Sequence, residues 1–367
     1  MALEFLPVSE DHLPSVRAFN QRMRDGNAPT GFFLPENPSR APDPNSAVHW
    51  TQFVAVEDGA VRGGVIQMDQ PGWLENRMIR ALNYQSPLSE GILEGRHGMV
   101  GLQLVKFMQR SGEAVFIVGM GSAENPLPRL LKAAGWSIRP VPFLFRVRRA
   151  GAFFRQLPTL HSSRIKSIGA HTAAYTGVGS LALHFMQRRR CSLNASVRQV
   201  REWGAWVDEI WERFEPRCSF AVKRDLRTVQ ELYPSKDPRV AIFLIQQDTH
   251  PVAWSVGFQA KTRDHLHFGN LQFATVVDCA AAATDAMPAA AALTYCELAS
   301  RGADLVLTNV SHRLWVDAFR AAGFLVGPSN YHLGMSKALT GAIQRQADGD
   351  NRIHVTRGDG DGRVGLS

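Results

Sequence analysis

Two stretches of this chain repeat one pattern 188 positions apart. Leu130-Leu131-Lys132-Ala133-Ala134-Gly135-Trp136 and Ala318-Phe319-Arg320-Ala321-Ala322-Gly323-Phe324 each read as the end of a helix stopped by a glycine in the C′ position, followed by an aromatic residue. Each follows a short apolar run of strand character, Ala114–Val118 and Asp304–Asn309. A chain of 367 residues that repeats such an arrangement once is constrained to two copies of one fold with divergent sequences.

The elements around these anchors recur in the same order. The first series reads strand Glu4–Val8, helix Asp11–Arg24, a Pro-rich loop from Thr30 to Asp43, and a meander of Phe53–Glu57, Val61–Met68 and Met78–Gln85. Asp58-Gly59 between the first two runs is a strong hairpin signal, because its residues accept the positive φ angles of a tight turn. A Gly-rich turn from Glu90 leads into an amphipathic helix ending near Arg110, with Val100, Leu102, Leu104, Val105 and Met108 on its apolar face. Helix Pro126–Ala134 and strand Pro142–Val147 close the series. In the second series, Val197, Val200, Trp203, Val207, Ile210 and Phe214 recur at helical spacing and predict one helix, whose tryptophans Trp203, Trp206 and Trp211 read as core. Strands Val240–Gln246, Val252–Ala260 and Leu266–Val277, helix Ala286–Ser300, strand Asp304–Asn309, helix Arg313–Ala322 and strand Tyr331–Met335 follow.

The expected architecture is α/β (α+β): two domains, residues 1–148 and 196–340, each a mixed, mainly antiparallel central sheet flanked by helices. Residues 149–195 form a basic interdomain linker, in which Ile168–Met186 reads as a packed helix or, alternatively, as a membrane-surface helix with a basic rim. The Gly/Asp/Arg-rich segment 341–367 is expected to be a disordered tail, and its Arg357-Gly358-Asp359 triplet is given no function.

The formal charge is +8, but it is unevenly spread. No acidic residue lies between Glu124 and Glu202, a stretch that holds 14 Lys and Arg and leaves 27 basic against 33 acidic residues elsewhere. A basic centre between acidic ends fits an anionic partner, whether a phosphorylated cofactor, a lipid surface or a nucleic acid. Cys191, Cys218, Cys279 and Cys296 are too scattered for a zinc ribbon or a disulfide framework. His265 and His267 alternate on a strand beside Asp264 without a third ligand, so no metal is expected. The first residues lack a basic and apolar leader, which points to the cytoplasm.

Arg96-His97-Gly98-Met99-Val100-Gly101, after the meander and opening a helix, resembles the Arg/Gln-x-x-Gly-x-Gly/Ala signature of the GNAT family, the acyl-CoA N-acyltransferases. Met99 stands where that signature has its first glycine, with Gly98 displaced by one. Such a turn aims backbone N–H groups and a helix N-terminus at one spot and so holds a pyrophosphate without side chains. The resemblance, carried also by the strand order and the two Gly-aromatic segments, covers residues 1–148 and 196–340. It implies acetyl-CoA or another acyl-CoA bound through Arg96, His97, Gly98, Met99, Val100, Gly101 and Asn125, with Asn309 as a substrate-side candidate. It implies transfer of the acyl group to a small-molecule amine, for which Glu90, Glu94 and His97 are the candidate bases. The Tyr that often protonates the departing thiolate in the family is absent, since Leu131 and Phe319 stand four residues before Gly135 and Gly323. In the second copy the turn reads Asp285-Ala286-Met287-Pro288-Ala289-Ala290, where Pro288 lacks an N–H, so cofactor binding there is not expected. Two alternatives stay open: a catalytically inactive GNAT-like binding protein, and a binder of anionic membrane or, less favoured, nucleic acid through the basic centre.

Overall fold

The structure is a computed structural model that describes residues 3–29, 31–38, 43–110, 114–156, 178–260 and 269–360. The chain divides into two compact units, residues 1–140 with 330–347 and residues 141–329 with 348–367. His265, His267 and Asp264, and residues 168–177 of the expected linker helix, lie outside the described residues.

In the first unit, β1 (Glu4–Pro7), β2 (His49–Glu57), β3 (Ala60–Leu74) and β4 (Arg77–Ser89) form an antiparallel meander. Asp58 and Gly59 turn with φ of 53° and 74°, as the Asp-Gly pair predicts. A second tight turn, at Glu75 and Asn76 with φ of 52° and 58°, lets β3 run well past the expected Met68. Pro71 is tolerated inside β3 because the pairing with β2 ends at Asp69, so no ladder bond is lost on that side. Helix α1 (Leu13–Asp25) buries Val16, Phe19 and Met23 against Leu34, Val54 and Val61. Its buried Asn20 clamps the Pro-rich loop by donating to Leu34 O and accepting from Leu34 N, both at 2.9 Å. Helix α2 (Gly98–Gln109) lays Leu104, Val105 and Met108 on Leu82, Tyr84, Val115 and Ile117. The all-buried β5 (Ala114–Val118) follows, then α3 (Pro126–Ala133) and β6 (Ser137–Pro140).

The strand expected over Pro142–Val147 to close this first sheet, observed as Phe143–Val147, does not belong to it. As β7 it enters the second unit's sheet, antiparallel to β13 (Leu305–Asn309) on one side and β14 (Leu325–Gly327) on the other. The exchange is mutual, because β15 (His332–Met335), expected to end the second copy, lies in the first sheet between β5 and β6. The first sheet therefore runs β1-β2-β3-β4-β5-β15-β6. The second runs β14-β7-β13-β12-β11-β10-β8, with β8 (Ser196–Val200), β10 (Val240–Gln247), β11 (His250–Ala260) and β12 (Phe273–Ala281). Both sheets are mixed and mainly antiparallel with flanking helices, the expected class.

In the second unit the helix expected from Val197 onward begins only at α6 (Trp206–Phe214), since Ser196–Val200 pairs as an edge strand with β10. Among the described residues two linker helices precede it, α4 (Ala150–Gln156) and α5 (Val178–Met186). Trp203 and Trp211 are core, as expected. The short β9 (Phe220–Val222) and α7 (Leu226–Leu232) come next. Helix α8 (Ala286–Ser300) matches its expected bounds, and α9 (Arg313–Ala321) ends at Gly323 with φ of 89°, as α3 ends at Gly135 with φ of 87°.

Residues 341–360 are not a disordered tail. They complete α10 (Lys337–Gln344) and fold into β16 (Ile353–His354), parallel to β9, and a one-turn helix Arg357–Asp359. His354 and His312 are buried 6.1 Å apart beside Phe214. Burial lowers both pKa values below the usual 6.5, His312 to about 4 and His354, which also feels His312, to about 3. The unfolded chain then binds more protons than the folded chain below pH 6.5. Stability is expected to fall as pH drops from about 6.5 toward 4, at up to about 1.4 kcal/mol per pH unit for each imidazole. Urea unfolding at pH 7 and 5.5 checks this, with a flatter slope expected for a His312→Gln, His354→Gln variant and an unchanged slope ruling it out.

Candidate functional site

Among the described residues the first unit opens at the C-terminal end of one parallel strand pair. Strands β4 and β5 pair from Ala81 with Ala114 to Tyr84 with Ile117, and there the pairing stops although β4 continues to Ser89. A bulge follows directly: Ile66 faces Gln85 and Gly64 faces Leu88, so Ser86 and Pro87 stand against Val65 alone, with Ser86 at φ of 47°. Such a bulge bends its strand and ends its pairing. The ends of parallel strands that part in this way are where α/β sheets hold ligands.

The chain leaves β4 through two one-turn helices, Glu90–Ile92 and Gly95–His97, and enters α2 at Gly98. The turns are pressed together at Gly91, where a Cβ would come within 2.7 Å of His97 O and 2.9 Å of Gly98 Cα, so only glycine fits. No side chain caps the N-terminus of α2. Gly98 N donates back to Gly95 O, and the partial positive charge of the helix start remains available to an anion. Met99 is 60% exposed in this first turn, while Val100 is buried and Gly101 lies opposite Leu130 and Ser89.

The three candidate bases have different surroundings. Glu90 is buried between Arg22, whose Nε donates to Oε1 at 2.5 Å, and Arg62, whose Nη1 donates to Oε2 at 3.0 Å. Burial pushes its pKa up, but the two guanidiniums outweigh this and hold it below the usual carboxylate value, which makes it a poor base. Glu94 is half-exposed and pairs with exposed Arg96 at 2.5 Å. His97 is buried, with Nδ1 3.6 Å from a Glu57 carboxylate oxygen and, among the described residues, no partner at Nε2.

Asn125 precedes α3 but does not cap it, donating instead to Met120 O at 3.3 Å in the loop after β5. Asn309 is buried in the second unit and fully engaged: its amide donates to Val141 O and Pro142 O, and its oxygen accepts from Arg357 Nη1 at 3.0 Å. That makes it a structural latch.

One residue at the opening escapes sequence reasoning. His332, the first residue of exchanged strand β15, lies beside the end of β5: its carbonyl accepts from Gly119 N at 3.0 Å and its ring Nδ1 is 2.7 Å from Gly121 O. A carbonyl can only accept, so Nδ1 carries a proton, and the neutral ring then holds its lone pair on Nε2. No signal near position 332 indicates this placement, because the strands that flank it come from residues 114–140.

The second unit has a matching divergence with a different fate. Strands β12 and β13 pair in parallel from Phe273 with Leu305 to Thr275 with Leu307, and Val277 then bulges from β12 opposite β11. The C-terminal segment meets both strands where they part: Thr356 bridges to Val310, Arg357 bonds Asn309, and Asp359 joins Asp278 through buried Arg224. Arg224 donates to Asp278 and Asp359 at 2.5 Å each, and Tyr233 donates to Asp278 at 2.6 Å. Gly358 passes so close to Tyr233 that a Cβ would meet its hydroxyl at 1.9 Å. This protein thus covers its second divergence with its own chain.

No protein-family profile matches the sequence, and no curated protein matches it. Solved structures do match. A GCN5-related N-acetyltransferase from Anabaena variabilis is 11% identical with a TM-score of 0.50, over 90% of this chain and 72% of that one. N-myristoyltransferase from Saccharomyces cerevisiae, solved with bound myristoyl-CoA, is 8% identical with a TM-score of 0.50, over 91% and 82% of the two chains. The chain shares its fold with these two proteins. Among the described residues no group of three or more His, Cys, Asp or Glu could hold a metal ion, and no helix is long and apolar enough to cross a membrane.

Proposed function

We propose that the protein is an acyl-CoA-dependent N-acyltransferase with one working cofactor site, in the first unit. The observation that carries this reading is the parting of β4 and β5 beside the uncapped N-terminus of α2, while the second divergence is covered by residues 355–359. The fold shared with an N-acetyltransferase and with a protein solved with bound myristoyl-CoA supports the same class of cofactor. In this reading the turn Arg96-His97-Gly98-Met99-Val100-Gly101 receives the pyrophosphate on backbone N–H groups, and the acyl arm runs between the parted strands. His332 accepts on Nε2 the proton that the attacking amine loses, its Nδ1–H being committed to Gly121 O. Glu90, neutralised by Arg22 and Arg62, serves to brace the turn.

Calorimetric titration with acetyl-CoA and with a longer acyl-CoA tests the cofactor site. Micromolar binding is expected, weakened by about tenfold or more in Met99→Glu, which sets a carboxylate against the pyrophosphate yet suits the first turn of a helix and leaves folding intact. No binding by the folded parent overturns the reading. For the proton acceptor, His332→Gln is expected to lower kcat by about a hundredfold with little change in acyl-CoA affinity. An equal loss from His97→Gln, with His332→Gln active, would move that role to His97.

A further inference from the structure

We propose that helix α5 and the arginines that follow it form a docking surface for an anionic lipid bilayer. The helix is apolar nearly throughout, Val178-Gly-Ser-Leu-Ala-Leu-His-Phe-Met186, yet the second unit uses little of it. Leu183 packs beside Val147, Phe273, Leu305 and Leu307, and one flank meets α4. Leu181, Phe185 and Met186 remain 58%, 66% and 64% exposed. Three large apolar side chains left in water within six positions constitute a patch, unlike single exposed residues, which are ordinary.

The end of this helix is fixed. Buried Gln187 accepts from Val147 N at 3.1 Å, and Arg190 N donates to Ala321 O at 2.7 Å. The apolar side chains are therefore presented by an anchored segment. Directly after them come Arg188, Arg189 and Arg190, all exposed and without an ion pair among the described residues. They fall in the long acid-free stretch, so no carboxylate from neighbouring sequence competes for them.

Exposed apolar side chains followed directly in the chain by three exposed arginines match the interface of a bilayer, where acyl chains lie below anionic headgroups. A nucleic acid would satisfy the arginines and leave Leu181, Phe185 and Met186 in water. The covering of a membrane-facing surface also explains why an apolar helix persists where the unit's own core does not bury it.

Cosedimentation of the full chain with vesicles of phosphatidylcholine alone and of phosphatidylcholine mixed with phosphatidylserine tests this. Binding to the mixed vesicles is expected to be on the order of a hundredfold stronger, and to shrink as salt rises. Leu181→Ser, Phe185→Ser, Met186→Ser should abolish binding, and Arg188→Gln, Arg189→Gln, Arg190→Gln should remove the preference for phosphatidylserine. The single Phe185→Ser variant should weaken binding with an unchanged circular-dichroism spectrum, which keeps the test readable if the triple variant misfolds. Equal or absent binding to the two vesicles overturns the proposal. So does a self-association of the protein that the apolar variant disperses, or binding of duplex DNA that only the arginine variant loses. None of these readouts involves acyl-CoA, so this proposal and the proposed activity stand or fall separately.

Discussion

Fragments 1–148 and 196–367, expressed apart, are each expected to fail to fold, and expressed together to assemble into one complex. The reason is the exchange of β7 and β15. Without β15 the first fragment leaves β5, buried at every residue, as an unpaired edge and loses the bond from Ser336 N to Val115 O. It also loses Leu339 and Ile343 of α10. Without β7 the second fragment exposes β13, orphans β14, and removes Phe143, Phe145 and Val147 from their cluster. Long apolar edges of this kind aggregate. Circular dichroism and urea unfolding of each fragment, and copurification after coexpression, read the outcome. A further fragment, 1–140 joined to 330–347 by a flexible Gly/Ser linker, should unfold cooperatively. If fragment 1–148 unfolds cooperatively by itself, the exchange does not govern folding.

Replacing Arg224 with Ala is expected to cost about 3–5 kcal/mol, the range for removing one partner of a buried ion pair. Burial opposes its charge, but Asp278 and Asp359 outweigh that and hold the guanidinium firmly protonated. Loss of the side chain leaves two buried carboxylates without their guanidinium, though Tyr233, the Thr356 hydroxyl and the backbone N–H groups of Cys279 and Thr356 still donate to them. Asp359→Asn should cost less, because the bond from Thr356 N survives to the amide oxygen, while removal of residues 348–367 should match or exceed Arg224→Ala by uncovering β9 and the ends of β12 and β13. Urea denaturation at pH 7 measures all three. A loss below about 1 kcal/mol for Arg224→Ala would mean that the cluster relaxes around water, and that the C-terminal segment is not held by it.

Much of the candidate site was legible because it is local. The turn before α2 depends on residues 90–101, whose glycines and following apolar spacing are visible in order. The state of Glu90 was hidden, because its partners Arg22 and Arg62 lie 68 and 28 positions away. The same distance hid His332, and it hid Asn309's commitment to Val141, Pro142 and Arg357.

The fold divides along the same line. The sequence alone suffices for the Asp58-Gly59 hairpin, the bounds of α8, the glycine ends of α3 and α9, and the class of the two sheets, since turn chemistry and residue periodicity act within a few positions. It misjudged Val197–Val200 because an apolar spacing of three also fits the end of a strand running into a loop. Long-range packing makes Phe143–Val147 and His332–Met335 change places, since a strand's hydrogen bonds accept any neighbour of suitable register and the choice rests on which whole sheet each completes. It also decided that a Gly/Asp/Arg-rich end, polar enough to read as a tail, is buried, because Asp359 finds Arg224 and Gly358 alone can pass Tyr233.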